Sequence, residues 1–203
     1  MKIIETRGAP NPRRLRIFLA EKGLQVSFEE VDLMQEALKT PEFTARNPMQ
    51  GVPVLVLDDG TWLAESVAIC RYFEEIHPDP PLFGTGPLRK AEVEMWNRRM
   101  ELGLFFHVAQ VFRHLHPKMA HLEVPQVKSW GEANRPKVFA ALEFLDCRLA
   151  QHRFVAGARY SIADITALVA VDFMKPAKLE RPASLANLAR WQEEVSARPS
   201  AKA

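Results

Sequence analysis

Asn47-Pro48-Met49-Gln50-Gly51-Val52-Pro53-Val54-Leu55-Val56-Leu57-Asp58-Asp59-Gly60-Thr61-Trp62-Leu63-Ala64-Glu65-Ser66 decides how the first part of the chain folds. From Val52 to Leu57 the residues are apolar at odd and even positions alike, as in a strand covered on both faces. Asp59-Gly60 is a hairpin dipeptide, because a two-residue turn needs positive φ, which glycine adopts freely. Thr61-Trp62-Leu63 then returns antiparallel to the first strand. Glu65-Ser66 opens a helix whose expected buried face is Ile69, Tyr72, Phe73 and Ile76. Pro53 has no N–H, so it suits the head of a buried strand where the ladder position is open.

Upstream, residues 2–6 form a short β-branched segment, and Gly8-Ala9-Pro10-Asn11-Pro12 is a turn. A helix is expected over 13–22, with Leu15, Phe18 and Leu19 on one face and Gly23 as its C-terminal cap. A second strand is expected over 26–33 and a short helix over 40–45. The order is βαβαββα. Right-handed crossovers make the first strands parallel, with the hairpin antiparallel at their side.

Downstream, His77-Pro78-Asp79-Pro80-Pro81 and the stretch from Gly84 to Pro87 read as a stiff linker. Beyond Leu88 the pattern is helical throughout. Val93, Trp96, Met100, Leu104, Val108, Val111 and Leu115 step at three and four residues and mark one long helix. Val138, Leu142, Leu145 and Leu149 mark another over 126–148, which Pro136 is expected to bend or restart. Residues 162–174 and 185–195 give two more. The expected fold class is α/β plus all-α: an α/β domain over 1–77, a linker over 78–87 and an all-helical domain over 88–203.

The 203 residues hold 27 Lys and Arg against 25 Asp and Glu, with 47% hydrophobic and 26% charged residues. That composition excludes wholesale disorder. It also argues against a nucleic-acid partner, which calls for an excess of cations over phosphate. No apolar stretch reaches the ~20 residues that span a bilayer, so no membrane partner is expected. Met1-Lys2-Ile3-Ile4-Glu5 reads as a strand, not a leader, and the cytoplasm is the expected compartment. Cys70 and Cys147 form no Cys-x-x-Cys pair, so neither a disulfide framework nor a zinc site is indicated. His107, His114, His116 and His121 lack a further ligand at metal spacing, and no metal is expected. Arg13, Arg14 and Arg16, with Arg98 and Arg99, read as a solvated face or as ion pairs with nearby glutamates. Phe105, Phe106, Val108, Val111 and Phe112 exceed what one buried face requires, and the excess suits a pocket for an apolar co-substrate. Trp62 and Met49 are candidates to face a partner subunit.

Three motifs resemble the glutathione S-transferase family. They are the Asn47–Leu55 stretch quoted above with Glu65-Ser66-Val67-Ala68-Ile69 one hairpin later, Ala9-Pro10-Asn11-Pro12-Arg13-Arg14-Leu15-Arg16, and Gly157-Ala158-Arg159-Tyr160-Ser161-Ile162-Ala163-Asp164. The chain is similar to bacterial members of the serine/asparagine or Nu-like type, with Ala9 where a serine usually stands. The resemblance implies a thioredoxin-like N-terminal domain followed by a helical-bundle C-terminal domain. It also implies a homodimer, detoxifying chemistry, glutathione as co-substrate and a cis Val52–Pro53 bond. An extended peptide would pair with the Val52 backbone like an added strand. The Glu65 carboxylate would hold the ammonium of the γ-glutamyl end, and Ser66 at the positive end of the helix dipole its carboxylate. An isolated Glu-Ser is otherwise an ordinary helix cap. The family often places Lys, Arg or Gln directly before Val-Pro to hold the glycyl carboxylate. Here Gly51 stands there and Gln50 is one residue early. Gln50, Val52, Pro53, Glu65 and Ser66 are therefore the expected glutathione-binding residues.

The thiol-activating position departs from the family pattern. Ala9 has no hydroxyl, Tyr72 and Tyr160 lie far downstream, and no cysteine stands nearby. Asn11 resembles the Asn of members with a Thr-Pro-Asn turn, and it is the candidate catalytic residue. Its amide and the N–H groups at the helix start would stabilise a thiolate, without acting as a base. An Asn between two prolines is equally a turn former. Ser161-Ile162-Ala163-Asp164 fits a capping box with a structural role, whose loss should cost on the order of 1 kcal/mol or more. The expected reaction is transfer of the glutathione thiolate to a small hydrophobic electrophile in a cleft between the domains. Two alternatives stay open: glutathione-dependent disulfide reduction, in which two glutathiones supply both sulfurs, and a non-catalytic glutathione-binding protein.

Overall fold

Lys2–Glu5 (β1) is an inner strand of a four-stranded sheet in the computed structural model, which describes residues 1–32 and 37–203. It pairs in parallel with Ser27–Glu30 (β2) and antiparallel with Val54–Val56 (β3), which pairs antiparallel with Trp62–Ala64 (β4). With Pro10–Glu21 (α1), Pro41–Arg46 (α2) and Ser66–Ile76 (α3), this is the expected βαβαββα order. The second strand is shorter than the expected 26–33, and Leu33 lies outside the described residues. Ile3, Ile4, Val54 and Leu55 fill the sheet's core, while β2 is largely exposed.

Helix α1 starts at Pro10, ahead of the expected residue 13, because proline at the first helical position presets φ and gives up only an N–H that has no partner there. It ends as expected at Gly23, whose φ of 65° lets Leu24 N–H reach back to the Leu19 carbonyl. Helix α3 buries Ile69, Cys70, Phe73 and Glu74, and leaves Ile76 45% exposed and Tyr72 half-buried, which corrects the expected face. The same face carries a buried ion pair. Lys22 Nζ lies 2.6 Å from Glu74 Oε2 and also donates to the carbonyls of His77 (2.8 Å) and Pro80 (2.6 Å). A buried charge is tolerable when it is paired and its donors are used, as these are. Trp62 packs edge-on against Phe43, with the Arg46 guanidinium over its ring, so it belongs to this unit's core; Met49 is 81% exposed.

Contacts divide the chain into two units: Met1–Pro81 with Pro199–Ala203, and Leu82–Arg198. The last residues join the first unit through Arg13, which donates to the Ala201 carbonyl at 3.3 Å, and Ser200, which donates to Glu21. The second unit holds Gly86–Met100 (α4), Phe106–Leu115 (α5), Lys128–Gln151 (α6), Ile162–Phe173 (α7) and Ala186–Ser196 (α8). The one long helix expected through Leu115 is interrupted by a π turn over Glu101–Phe105, around Gly103. Helix α6 runs through Pro136 without restarting, so of the two expected outcomes, a bend or a restart, the restart does not occur. Packing of Val138, Leu142, Leu145 and Leu149, all fully or nearly fully buried, outweighs the one missing ladder bond. No helix of the described residues is long and apolar enough to cross a membrane.

Every residue of α7 from Ile162 to Val171 is buried. At its start, Asp164 accepts four hydrogen bonds: Val155 N–H (2.9 Å) and Trp191 Nε1–H (2.9 Å) on Oδ1, and Ser161 N–H and O–H (3.0 Å each) on Oδ2. The capping box is present as expected. The carboxylate additionally ties α8 and the 155 turn to the same point.

Candidate active site

Strand register brings the expected residues together. β3 runs antiparallel to β4 with Val54 opposite Ala64, so Val52-Pro53, just before β3, and Glu65-Ser66, just after β4, lie at one end of the sheet. β1 is antiparallel to β3 with Ile4 opposite Val54, so the chain leaves β1 at that same end and turns there into α1. Ala9 and Asn11 are therefore at this end too.

The Val52–Pro53 bond is cis. Val52 stands ahead of the β3 ladder and is half-buried, and among the described residues its N–H and C=O form no hydrogen bond. That leaves a donor and an acceptor for an extended peptide. Asn47 braces the approach: its Nδ2–H donates to the Gly51 carbonyl at 2.9 Å, and its carbonyl accepts from Gln50 N–H. Gln50 turns one amide N–H onto Thr44 Oγ1 at 3.0 Å, so its side chain is fastened toward α2.

Glu65 is exposed and has φ of 70°, while Gln50 has φ of 52°. Non-glycine residues in the left-handed region cost free energy and gather where a site fixes a side chain's direction. Ser66 is buried, and its Oγ accepts a hydrogen bond from Arg14 Nη1 at 3.0 Å. Because that oxygen is already an acceptor, its own proton is directed elsewhere. The buried guanidinium also adds to the positive potential of the helix start. Arg14 is 1% exposed, which corrects the solvated-face reading; Arg16 instead pairs with Glu5, as the ion-pair reading has it. The signal for Arg14 lay in its position next to Leu15 and one turn before Phe18 on the buried face of α1.

Ala9 is the N-cap of α1 and offers no side-chain cap. Pro10 and Pro12 have no N–H, and Arg13 N–H is bonded to the Ala9 carbonyl at 3.1 Å. Among the described residues, Asn11 supplies the first turn's free backbone N–H, beside its half-buried side-chain amide. The arrangement can hold an anion at the helix start by one residue's two donors. Cys70 is fully buried, and that burial pushes its thiol up, so it is no nucleophile. Three of the four histidines considered for a metal make local bonds. His107 Nδ1 lies 2.7 Å from Asn134 Oδ1, His114 Nδ1 accepts Val127 N–H, and His116 Nδ1 accepts Lys118 N–H.

Two family models match the chain: the glutathione S-transferase N-terminal domain over residues 9–76 and the glutathione S-transferase C-terminal domain over residues 95–199. The chain belongs to the glutathione S-transferase family. It is 38% identical to glutathione S-transferase 2 of Saccharomyces cerevisiae, over all of this chain and 88% of that protein. The crystal structure of Gtt2 from Saccharomyces cerevisiae matches with a TM-score of 0.95 and 38% identity, covering 100% of this chain and 99% of that one. A glutathione S-transferase domain-containing protein from Marinobacter aquaeolei matches with a TM-score of 0.95 and 40% identity, over 98% and 99% of the two chains. The two units of this chain thus have the family's thioredoxin-like and helical architecture.

Proposed function

We propose that this glutathione S-transferase binds glutathione along Val52-Pro53 and transfers the whole glutathionyl group, by an S–C bond from its thiolate, to a small hydrophobic electrophile that gives up its leaving group. The register that gathers Val52-Pro53, Glu65-Ser66 and Asn11 at one sheet end is the observation that supports this reading. In it, the cysteinyl backbone of glutathione pairs with Val52, Glu65 takes the γ-glutamyl ammonium, and Ser66 with the α3 N–H groups takes the carboxylate. Gln50 offers its second amide N–H to the glycyl end. The sulfur lies at the start of α1 as a thiolate, held by the Asn11 N–H groups. The rate gain comes from positioning and from a larger thiolate fraction. The chemistry needs no metal and no other cofactor, and the compartment is cytoplasmic.

Asn11→Ala is expected to lower kcat/KM with chlorodinitrobenzene by about tenfold or more, since one of two thiolate donors is lost. The effect should be accompanied by a rise in the pH at which bound glutathione ionises, read from thiolate absorbance. Reduction of a small disulfide without conjugation would favour the reductase alternative. Glutathione binding with turnover of neither substrate would leave only a binding protein.

A homodimer is part of the same proposal. Leu88, Met95, Leu102 and Phe106 are 73%, 41%, 53% and 42% exposed, and they recur along α4, the π turn and α5 at sevens and a four. Such an unpartnered apolar stripe suits a self-complementary contact. Sedimentation equilibrium is expected to give twice the 23.1 kDa chain mass, and a monomer would contradict it.

A further inference from the structure

Between β1 and α1 the chain makes one tight turn. Ala9 N–H donates to the Thr6 carbonyl at 3.1 Å, and Gly8 has φ of 85°. Those are the marks of a type II turn with Arg7 in its second position. Thr6 Oγ1 donates to the Val31 carbonyl at 2.6 Å, which ties the turn to the residue after β2. The backbone that carries Arg7 is thus fixed on both sides, while its side chain is exposed. The turn stands at the sheet end that gathers Val52-Pro53 and Glu65-Ser66, two residues ahead of Ala9, the N-cap of α1.

Arg7 differs from the cations around it. Among the described residues of Met1–Pro81, every other lysine and arginine has a hydrogen bond, an ion pair or another electrostatic or ring contact, and Arg7 has none. In the binding mode proposed above, each polar group of glutathione also has its partner: Glu65 for the ammonium, Ser66 for the neighbouring carboxylate, Gln50 for the glycyl end and Asn11 for the thiolate. Arg7 is left over. Bound as a thiolate, glutathione brings two carboxylates and a sulfur anion against one ammonium, and Glu65 adds a further negative charge. An electrophile with a carboxylate of its own is repelled there unless a cation answers it. A guanidinium does so with a planar fork of N–H donors that matches a carboxylate by two parallel hydrogen bonds.

We propose that Arg7 determines co-substrate specificity: its guanidinium holds a carboxylate on the electrophile and so selects anionic electrophiles over neutral ones. This role rests on the glutathione transfer proposed above. The glutathione sulfur bonds to the electrophilic carbon, the leaving group departs with its electron pair, and the carboxylate stays ionised on Arg7 throughout. The probes are 4-chloro-3,5-dinitrobenzoate and its methyl ester, which share the carbon attacked and chloride as leaving group. Each kcat/KM is divided by the uncatalysed rate constant with glutathione, which removes the difference in intrinsic reactivity. On that scale the acid is expected to be preferred by about fivefold or more. Arg7→Gln should abolish the preference, mainly through KM for the acid, and high salt should erode it in the wild type. Arg7→Lys, which keeps the charge but not the fork, should fall between the two. The side chain is exposed and has no partner, so neither substitution disturbs packing. An equal fall for acid and ester in Arg7→Gln, with a rise in the pH at which bound glutathione ionises, would place Arg7 on the sulfur and overturn the proposal. An acid preference untouched by the substitution would overturn it too. Turnover of the ester with no preference for the acid would sink the role of Arg7 and leave the transferase reading standing; turnover of neither probe would sink both.

Discussion

Glu65→Gln is expected to raise the dissociation constant for glutathione roughly 10- to 100-fold, the loss of one hydrogen bond between charged groups worth about 1.5–3 kcal/mol. The carboxylate is exposed and makes no cap bond to α3, so its loss leaves no buried group unsatisfied. Glutamine keeps the shape and the backbone demands of the left-handed position, and Tm should move by no more than about 2 °C. The size of the loss against an unmoved Tm separates ligand binding from folding. Isothermal titration with glutathione reads the first and calorimetric unfolding the second. Ser66→Ala is a less clean probe, because it also removes an acceptor from the buried Arg14. An unchanged affinity in Glu65→Gln would remove the acid from the site.

Asp164→Ala is expected to cost about 5 kcal/mol, from several buried donors losing an acceptor at about 1–3 kcal/mol each. The N–H groups of Val155, Ser161 and Trp191 all end on this carboxylate, which is 0% exposed. A loss of that size is comparable to the whole stability of many domains. Urea unfolding followed by circular dichroism should show the midpoint collapse, and a loss below about 1 kcal/mol would contradict the central role given to this group. The same carboxylate carries a pH signature. Burial pushes Asp164 up from the ordinary 3.8 to about 6, against the pull of its hydrogen bonds. Between those values the folded chain holds more protons than the unfolded one, so this group's contribution to stability grows as pH falls. From pH 7 to pH 5 the gain is about 1 kcal/mol by linkage. The wild-type chain should show it and Asp164→Asn should not.

The parts of the fold legible in the sequence are those whose chemistry is local. Asp59-Gly60 sets a turn by backbone freedom, Pro53 marks the head of a strand, Gly23 ends α1, and Ser161 with Asp164 caps α7 within four residues. Each signal needs only its neighbours. What sequence reasoning missed depends on partners far along the chain. Lys22 and Glu74 are 52 residues apart and look like solvated charges until α1 and α3 pack; Glu74 is then buried while Ile76 is left exposed. Arg14 and Ser66 are equally distant, and Arg14 is identifiable only from its place on an apolar face. Pro136 differs for the opposite reason: its local rule allows a restart, which tertiary packing along α6 overrides. For the candidate site, the residue types were readable from motifs. That three segments share one sheet end follows only from strand register, and that Asn11 supplies the first turn's free N–H follows only once Arg13 is seen to bond Ala9.

A crystal structure of the chain grown with glutathione tests most directly where the ligand lies. The predicted result has the cysteinyl N–H and C=O on the Val52 backbone, the γ-glutamyl ammonium on Glu65, its carboxylate at Ser66, and the sulfur within about 3.5 Å of an Asn11 nitrogen. Glutathione bound away from Val52-Pro53, or with its γ-glutamyl end remote from Glu65-Ser66, would contradict it.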